Sequence, residues 1–351
     1  MAEQAVQQLF SNTNIINYIF IYTPPKVGST TLVSSLRISL GNTFNIIHIH
    51  DETMLNVLTG ISNVSINDII SYLAKKGYNV YVIDVYRTPI ERKMSEFFEK
   101  ISPYHFNNIE ENLNTYTMKR ISDRFNKLFP YLAINDNYFD KFNIGNPPDF
   151  DFNKKYTLQV VNNIKYIKLR LSDSSQWTHI LSTILEKNIV LINDYITETK
   201  PIGDLYKKFK MEYKIPFNYL ELIKTCKFFN FYLSQEERTK YINIWENRKC
   251  NSFIFYTPDE YKFYVNLYLE NQYLNDIQVE HYIDNGCLCS ACSKKRIEIF
   301  NRAKNGEIYF NRIIHLEAVK EYVSNKTKII MNHFNKKKNI KNKKEFGFNF
   351  L

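Results

Sequence analysis

The stretch Thr23-Pro24-Pro25-Lys26-Val27-Gly28-Ser29-Thr30-Thr31-Leu32 follows the apolar run Ile19-Phe20-Ile21-Tyr22 and carries what a loop needs to hold an oxyanion. The first N–H groups of a helix lack intrahelical partners, sit at the positive end of its dipole and bind anions. Gly28 permits close backbone approach and an unusual dihedral. Ser29, Thr30 and Thr31 add hydroxyl donors, and Lys26 adds a full charge from the turn itself. A nucleotide-triphosphatase loop has the order G-x-x-x-x-G-K-[ST], with lysine after the second glycine. Here Lys26 comes before Gly28, so the loop reads as a cradle for a phosphate or sulfate group of a different ligand. The plainer alternative is a turn with a capping serine.

A second group lies on Val85-Tyr86-Arg87-Thr88-Pro89-Ile90-Glu91-Arg92-Lys93-Met94-Ser95-Glu96. It puts Arg87 at the end of a predicted strand and Ser95 two turns into the next helix. Ligands of open α/β sheets sit outside the carboxyl ends of the strands, so Arg87 shares a rim with Lys26. A guanidinium there grips a phosphate in two-pronged fashion, and Ser95 can donate to the same group. The alternative for Arg87 is a surface ion pair with Glu91. Between these groups, Ile46-Ile47-His48-Ile49-His50-Asp51-Glu52 sets His48 and His50 on one face of a strand. Imidazole is suited to general-base work at neutral pH, although a lone histidine is more often structural. Asp51 and Glu52 follow at once, placed to orient an imidazole. Asp51, Glu52 and Glu96 are also rival carboxylate bases, and His105 is a further histidine.

These stretches resemble the cofactor motifs of sulfotransferases that use 3′-phosphoadenosine 5′-phosphosulfate (PAPS). The run from Pro24 to Leu32 is similar to their 5′-phosphosulfate loop. Arg87, Pro89 and Ser95, the serine eight residues after the arginine, are similar to their 3′-phosphate motif. Arg92 fits the R-x-P-x-x-R form of carbohydrate sulfotransferases. Leu32 stands where the cytosolic small-molecule type typically has tryptophan, which points to the same glycan-directed branch. His48-Ile49-His50 resembles the H-x-H of uronyl 2-O-sulfotransferases. Leu169-Arg170-Leu171-Ser172-Asp173 with Trp177, and residues 255–264, are weaker echoes; the likeness is close over 15–100 and loose over 160–270. The resemblance implies that Lys26, Val27, Gly28, Ser29, Thr30 and Thr31 hold the 5′-phosphosulfate and that Arg87 and Ser95 hold the 3′-phosphate. It implies His50 as base with His48 in support, Lys26 neutralising charge on the departing phosphate, and no requirement for Mg²⁺. The expected acceptor is a hydroxyl of a carbohydrate or similar molecule, an acidic glycan suiting the positive charge of the chain.

That charge is +10 over 351 residues, and it is uneven: residues 336–344 read KKKNIKNKK. A solvated tail is the plain reading and a nonspecific polyanion contact the sharper one. Five cysteines with no secretory signal point to a reducing compartment. No apolar stretch approaches ~18 residues, so no membrane span is expected. The expected location is cytoplasmic, a host's cytoplasm if the source is a virus. Cys287, Cys289 and Cys292 form C-x-C-x-x-C with His281 upstream. Such a set can hold a structural zinc, with His281 the nearest fourth ligand; reduced cysteines in a loop, with no metal, is the other reading.

The elements that must position these residues alternate. Strand signals at 17–22, 44–50, 78–86 and 165–173 are separated by helical stripes: Leu32/Leu36/Leu40, a helix from Ser65 to Gly77, and Ile90/Met94/Phe97/Ile101. The stripe Trp177/Ile180/Leu181/Ile184/Leu185 follows the last strand, with Ser172 or Asp173 as its candidate cap. The pattern predicts an α/β protein, a P-loop-like parallel sheet flanked by helices, with a mostly helical C-terminal part. The expected domains are an α/β domain over 1–275, with an acceptor-binding segment at 103–155, a Cys-containing helical extension at 276–335 and a basic tail at 336–351. Two other function classes stay open. A Mg²⁺-dependent P-loop nucleotide kinase or NTPase draws on Asp84 as a strand-end acid, and a nucleic-acid-binding protein draws on the basic tail.

Overall fold

The structure is a computed structural model that describes residues 1–10, 14–105, 113–142, 144–145, 147–192 and 202–262. The cysteine cluster with His281, the basic run 336–344 and the expected boundaries after residues 275 and 335 lie outside the described residues. The chain divides into two compact units, Met1–Ile101 with Asn114–Phe255, and Ser102–Leu113 with Tyr256–Leu351.

The first unit is α/β. Its chain order is α1 (Ala2–Leu9), β1 (Asn17–Tyr22), α2 (Ser29–Leu40), β2 (Asn45–Ile49), α3 (Glu52–Thr59), α4 (Ile66–Lys75), β3 (Asn79–Tyr86) and α5 (Pro89–Glu99). There follow α6 (Met118–Leu128), β4 (Tyr156–Val161), β5 (Ile164–Arg170), α7 (Trp177–Leu185), α8 (Gly203–Glu212), α9 (Phe217–Lys224), α10 (Lys227–Tyr232) and α11 (Gln235–Glu246). The five-stranded sheet has the order β2-β1-β3-β5-β4. All pairings are parallel except the β4–β5 hairpin, which makes β4 an antiparallel edge.

β1 and β3 read as unbroken apolar runs because both faces of a parallel sheet are covered. One face packs α1, α4, Tyr138, Phe142 and Ile144 against Tyr18, Phe20, Tyr22, Val80 and Val82. The other packs the stripe of α2 (Leu32, Leu36, Leu40) and that of α7 (Trp177, Ile180, Leu181) against Ile19, Ile21, Ile83, Ile167 and Leu169. Side chains alternate faces along a strand, so Ile47 and Ile49 enter the first core while Ile46 packs against the second.

Topology determines where a ligand can sit. The chain leaves β1 for β2 on one side and then crosses to β3 on the other, so the connections out of β1 and β3 diverge around a crevice at their carboxyl ends. Lys26 follows β1, His50 follows β2 and Arg87 follows β3.

Much of the aromatic richness of segment 103–155 is core. Phe125, Phe129, Tyr138 and Phe142 are buried, and Phe125 meets Phe97, Phe209 and Tyr213 edge-on in a cluster where Phe209 and Tyr213 stack. In the second unit, Thr257 and Glu260 cap each other's backbone at the start of a short helix, and His105 is buried.

Candidate functional site

The loop after β1 is held from below and from the side. Lys26 has φ +66° and Gly28 φ +87°, both left-handed, the second of which favours glycine. A Cβ on Gly28 would fall 2.7 Å from Leu171 Cδ1, so a side chain there would need the tip of Leu171 to shift as well as a disfavoured backbone. Val27 is buried in the core, so only its main chain can meet a ligand. α2 starts at Ser29 with no capping side chain and no acidic residue in its first turn. The capping-serine alternative therefore fails. Ser29 is nearly buried, while Thr30 and Thr31 are partly exposed. A left-handed glycine, an uncapped helix start and two hydroxyls together fit an oxyanion.

The second motif touches the first. Arg87 Nη1 donates to the carbonyl oxygen of Lys26 at 3.0 Å, and Arg92 Nε donates to that of Pro25 at 3.3 Å. Arg92 is buried and its remaining reach goes to Asn135, whose main-chain and side-chain oxygens it binds at 2.7 and 2.6 Å. Arg92 thus clamps the loop to the chain beyond α6. The alternative for Arg87, an ion pair with Glu91, is not formed: Glu91 accepts from Tyr241 Oη at 2.8 Å. Ser95 is buried on α5.

Beside Arg87 opens a cleft of about 400 Å³, lined among others by Tyr86, Leu171, Leu233, Lys240 and Tyr241. Its two acids are engaged, Glu91 with Tyr241 and Glu237 with Arg170 at 2.8 Å. Among its described lining residues, Arg87 and Lys240 are the cations. Lys240 comes from α11, remote in sequence, and no motif marked it.

His50 Nδ1 lies 2.7 Å from the carbonyl oxygen of Thr23. A carbonyl only accepts, so Nδ1 carries the proton and Nε2 is the acceptor. Burial lowers the His50 pKa, opposed by the Thr23 bond, Asp51 and Glu99 and assisted by Lys26. His48 stands edge-on to His50 with ring centroids 4.4 Å apart, and burial takes its pKa down to about 3. Its Nε2 and the Oγ1 of Thr23 are buried without hydrogen-bond partners among the described residues.

The carboxylates expected to orient an imidazole do other work. Asp51 caps α3 by accepting from Met54 N at 2.8 Å, and Glu52 accepts from Ile66 N at 3.1 Å, tying α3 to α4. Thr23 takes the orienting role. Glu99, the last residue of α5, brings its Oε1 to 3.2 Å from Lys26 Nζ.

Asp84 is fully buried on β3. Its Oδ2 accepts from Lys168 Nζ at 2.7 Å and Tyr138 N at 2.9 Å, its Oδ1 from Val85 N at 2.7 Å. Lys168 also binds Asp136 at 2.7 Å. Burial, with Asp136 alongside, raises the Asp84 pKa to about 6 against the pull of Lys168. Asp173 likewise does not cap α7 but pairs with Arg170, bonding its Nε and Nη2. Among the described residues no group of three His, Cys, Asp or Glu is placed to hold a metal, and no helix is long and apolar enough to cross a membrane. No family model, curated protein or solved structure matches the chain.

Proposed function

We propose that the chain is a sulfotransferase that binds PAPS across the β1 and β3 rims and moves its sulfuryl group to a hydroxyl of a carbohydrate or similar acceptor. The observation that carries this reading is the 3.0 Å hydrogen bond from Arg87 to the carbonyl of Lys26, which makes the loop and the second motif one rim. The α2 N-terminus, Gly28, Thr30 and Thr31 would hold the 5′-phosphosulfate, and Arg87 with Ser95 the 3′-phosphate. Bound there, the phosphosulfate supplies an activated sulfuryl group on a phosphate leaving group.

The residues of the chain then have definite tasks. His50 Nε2 takes the proton of the acceptor hydroxyl as its oxygen bonds to sulfur. The Lys26 ammonium neutralises the charge that collects on the phosphate oxygen as the S–O bond breaks. Thr23 holds the imidazole in the tautomer that accepts. Positioning and electrostatics carry most of the barrier reduction in such transfers.

The kinase reading needs Asp84 open to a Mg²⁺-bound nucleotide, and Asp84 is instead enclosed by Lys168, Tyr138 and Val85. Calorimetry separates the two. Adenosine 3′,5′-bisphosphate should bind with a chelator present, and ATP should not gain affinity from Mg²⁺. Mg²⁺-dependent ATP binding with no response to the bisphosphate would replace this reading by the kinase one.

A further inference from the structure

Lys26 sits on a strained turn with its side chain 10% exposed, and the Glu99 carboxylate at the far end of α5 reaches it at 3.2 Å. Glu99 matches neither cofactor motif, and the pair joins two segments distant in sequence. Both groups also act on His50, Lys26 disfavouring and Glu99 favouring its protonated form, so the carboxylate stands within electrostatic reach of the two residues given the chemical tasks above. We propose that Glu99 is a positioning residue that holds the Lys26 ammonium over the loop until an oxyanion arrives and then yields it, so that Lys26 works by exchanging partners. The proposal rests on the loop being the oxyanion site.

The physical case has three parts. An ammonium whose stem is largely enclosed needs a counter-charge when no ligand is present, because an unpaired charge in such surroundings is costly. The carboxylate is 35% exposed, so solvent screens the pair and keeps it weak enough to break. Lysine is a point charge on a flexible stem, able to change partners without the fixed geometry that a guanidinium demands. A sulfate or phosphate at the loop would add the N–H groups and hydroxyls of α2 to the same ammonium, a combination that one carboxylate cannot match.

Sulfate and adenosine 3′,5′-bisphosphate would be titrated calorimetrically into the full chain carrying no change, Glu99→Gln, Lys26→Met, or both. Removing the internal competitor should tighten both ligands by about two- to fivefold, the worth of a screened ion pair. In the Lys26→Met background the same Glu99→Gln change should do nothing, since no ammonium remains to be released. Unchanged or weaker binding by Glu99→Gln overturns the proposal. So does equal tightening in both backgrounds, which would reduce Glu99 to a diffuse negative field. Sulfate binding that responds as stated while the bisphosphate does not bind would sink the nucleotide assignment and leave the exchange of partners standing. Failure of every form to bind either probe removes both.

Discussion

The imidazole of His50 is fixed through Nδ1 by the main-chain oxygen of Thr23, 2.7 Å away, so that its basic nitrogen is Nε2. Thr23 is the first residue after β1 and its own N–H donates to Ile49 O at 3.3 Å, so the strand pairing that builds the sheet also aims the ring. Replacing His50 by alanine should abolish sulfuryl transfer while leaving the affinity for adenosine bisphosphate unchanged. The pH profile carries the sign. Burial holds the His50 pKa below its usual 6.5, so the neutral, competent form prevails at pH 7. Activity should fall on acidification through that lowered value, with the acid limb below 6.5. An acid limb left in place by His50→Ala would hand the base role to another group.

One N–H of the Arg87 guanidinium supports the Lys26 carbonyl, and the residue lines the cleft beside it. Arg87→Ala should weaken adenosine 3′,5′-bisphosphate by about 1.5–3 kcal/mol, the worth of hydrogen bonds to a charged group. Arg87→Lys keeps the charge and loses the fork, so it should fall between wild type and alanine. An unchanged dissociation constant for Arg87→Ala would take the 3′-phosphate away from this residue.

Buried on β5, Lys168 neutralises two carboxylates, Asp84 and Asp136, at 2.7 Å each. Lys168→Met removes the only cation of that trio and should destabilise the fold by about 3–5 kcal/mol, as for other buried pairs broken on one side. The Asp84 pKa already stands raised to about 6, and without the ammonium it rises further. A carboxyl whose folded-state pKa exceeds its unfolded one stabilises the fold most when protonated, so the loss should shrink as pH falls below that value. Denaturant unfolding of variant and wild type at neutral pH and at about pH 5 measures the difference. A loss independent of pH would mean that Asp84 takes up no proton.

What the residues disclose in advance follows their range. β3 and the stripes of α2, α5 and α7 were legible because periodicity is local and burial on a parallel sheet leaves long apolar runs. β4 was not, since Leu158 and Val160 are exposed on an antiparallel edge and blur the alternation. α3 was hidden because Asp51 and Glu52 looked like chemistry, whereas Asp51 supplies a cap. No local pattern on β5 marks Lys168 and Arg170 as enclosed, yet the Tyr232 ring lies by Lys168, the Tyr232 carbonyl accepts from Arg170, and both charges are paired with carboxylates. The rim contacts of Arg87 with Lys26 and of Lys26 with Glu99 join distant positions, and no local pattern encodes them.

Gly28 joins the site to the fold most directly, because its conformation and its floor are both set by other segments. Its φ of +87° is one that a side chain disfavours, and Leu171 Cδ1 would lie 2.7 Å from the new Cβ with Trp177 at 3.5 Å. Gly28→Ala should therefore cost about 1–2 kcal/mol for the left-handed backbone alone, with a further loss from the collision. Combining it with Leu171→Ala removes the collision and keeps the backbone cost, so the double variant should lose less than the sum of the two single ones. Equilibrium denaturation of the four forms gives the coupling. Additive losses would mean that the loop moves off Leu171 when it acquires a methyl group; in that event Gly28→Ala should bind sulfate as wild type does, because the loop would not depend on the floor beneath it.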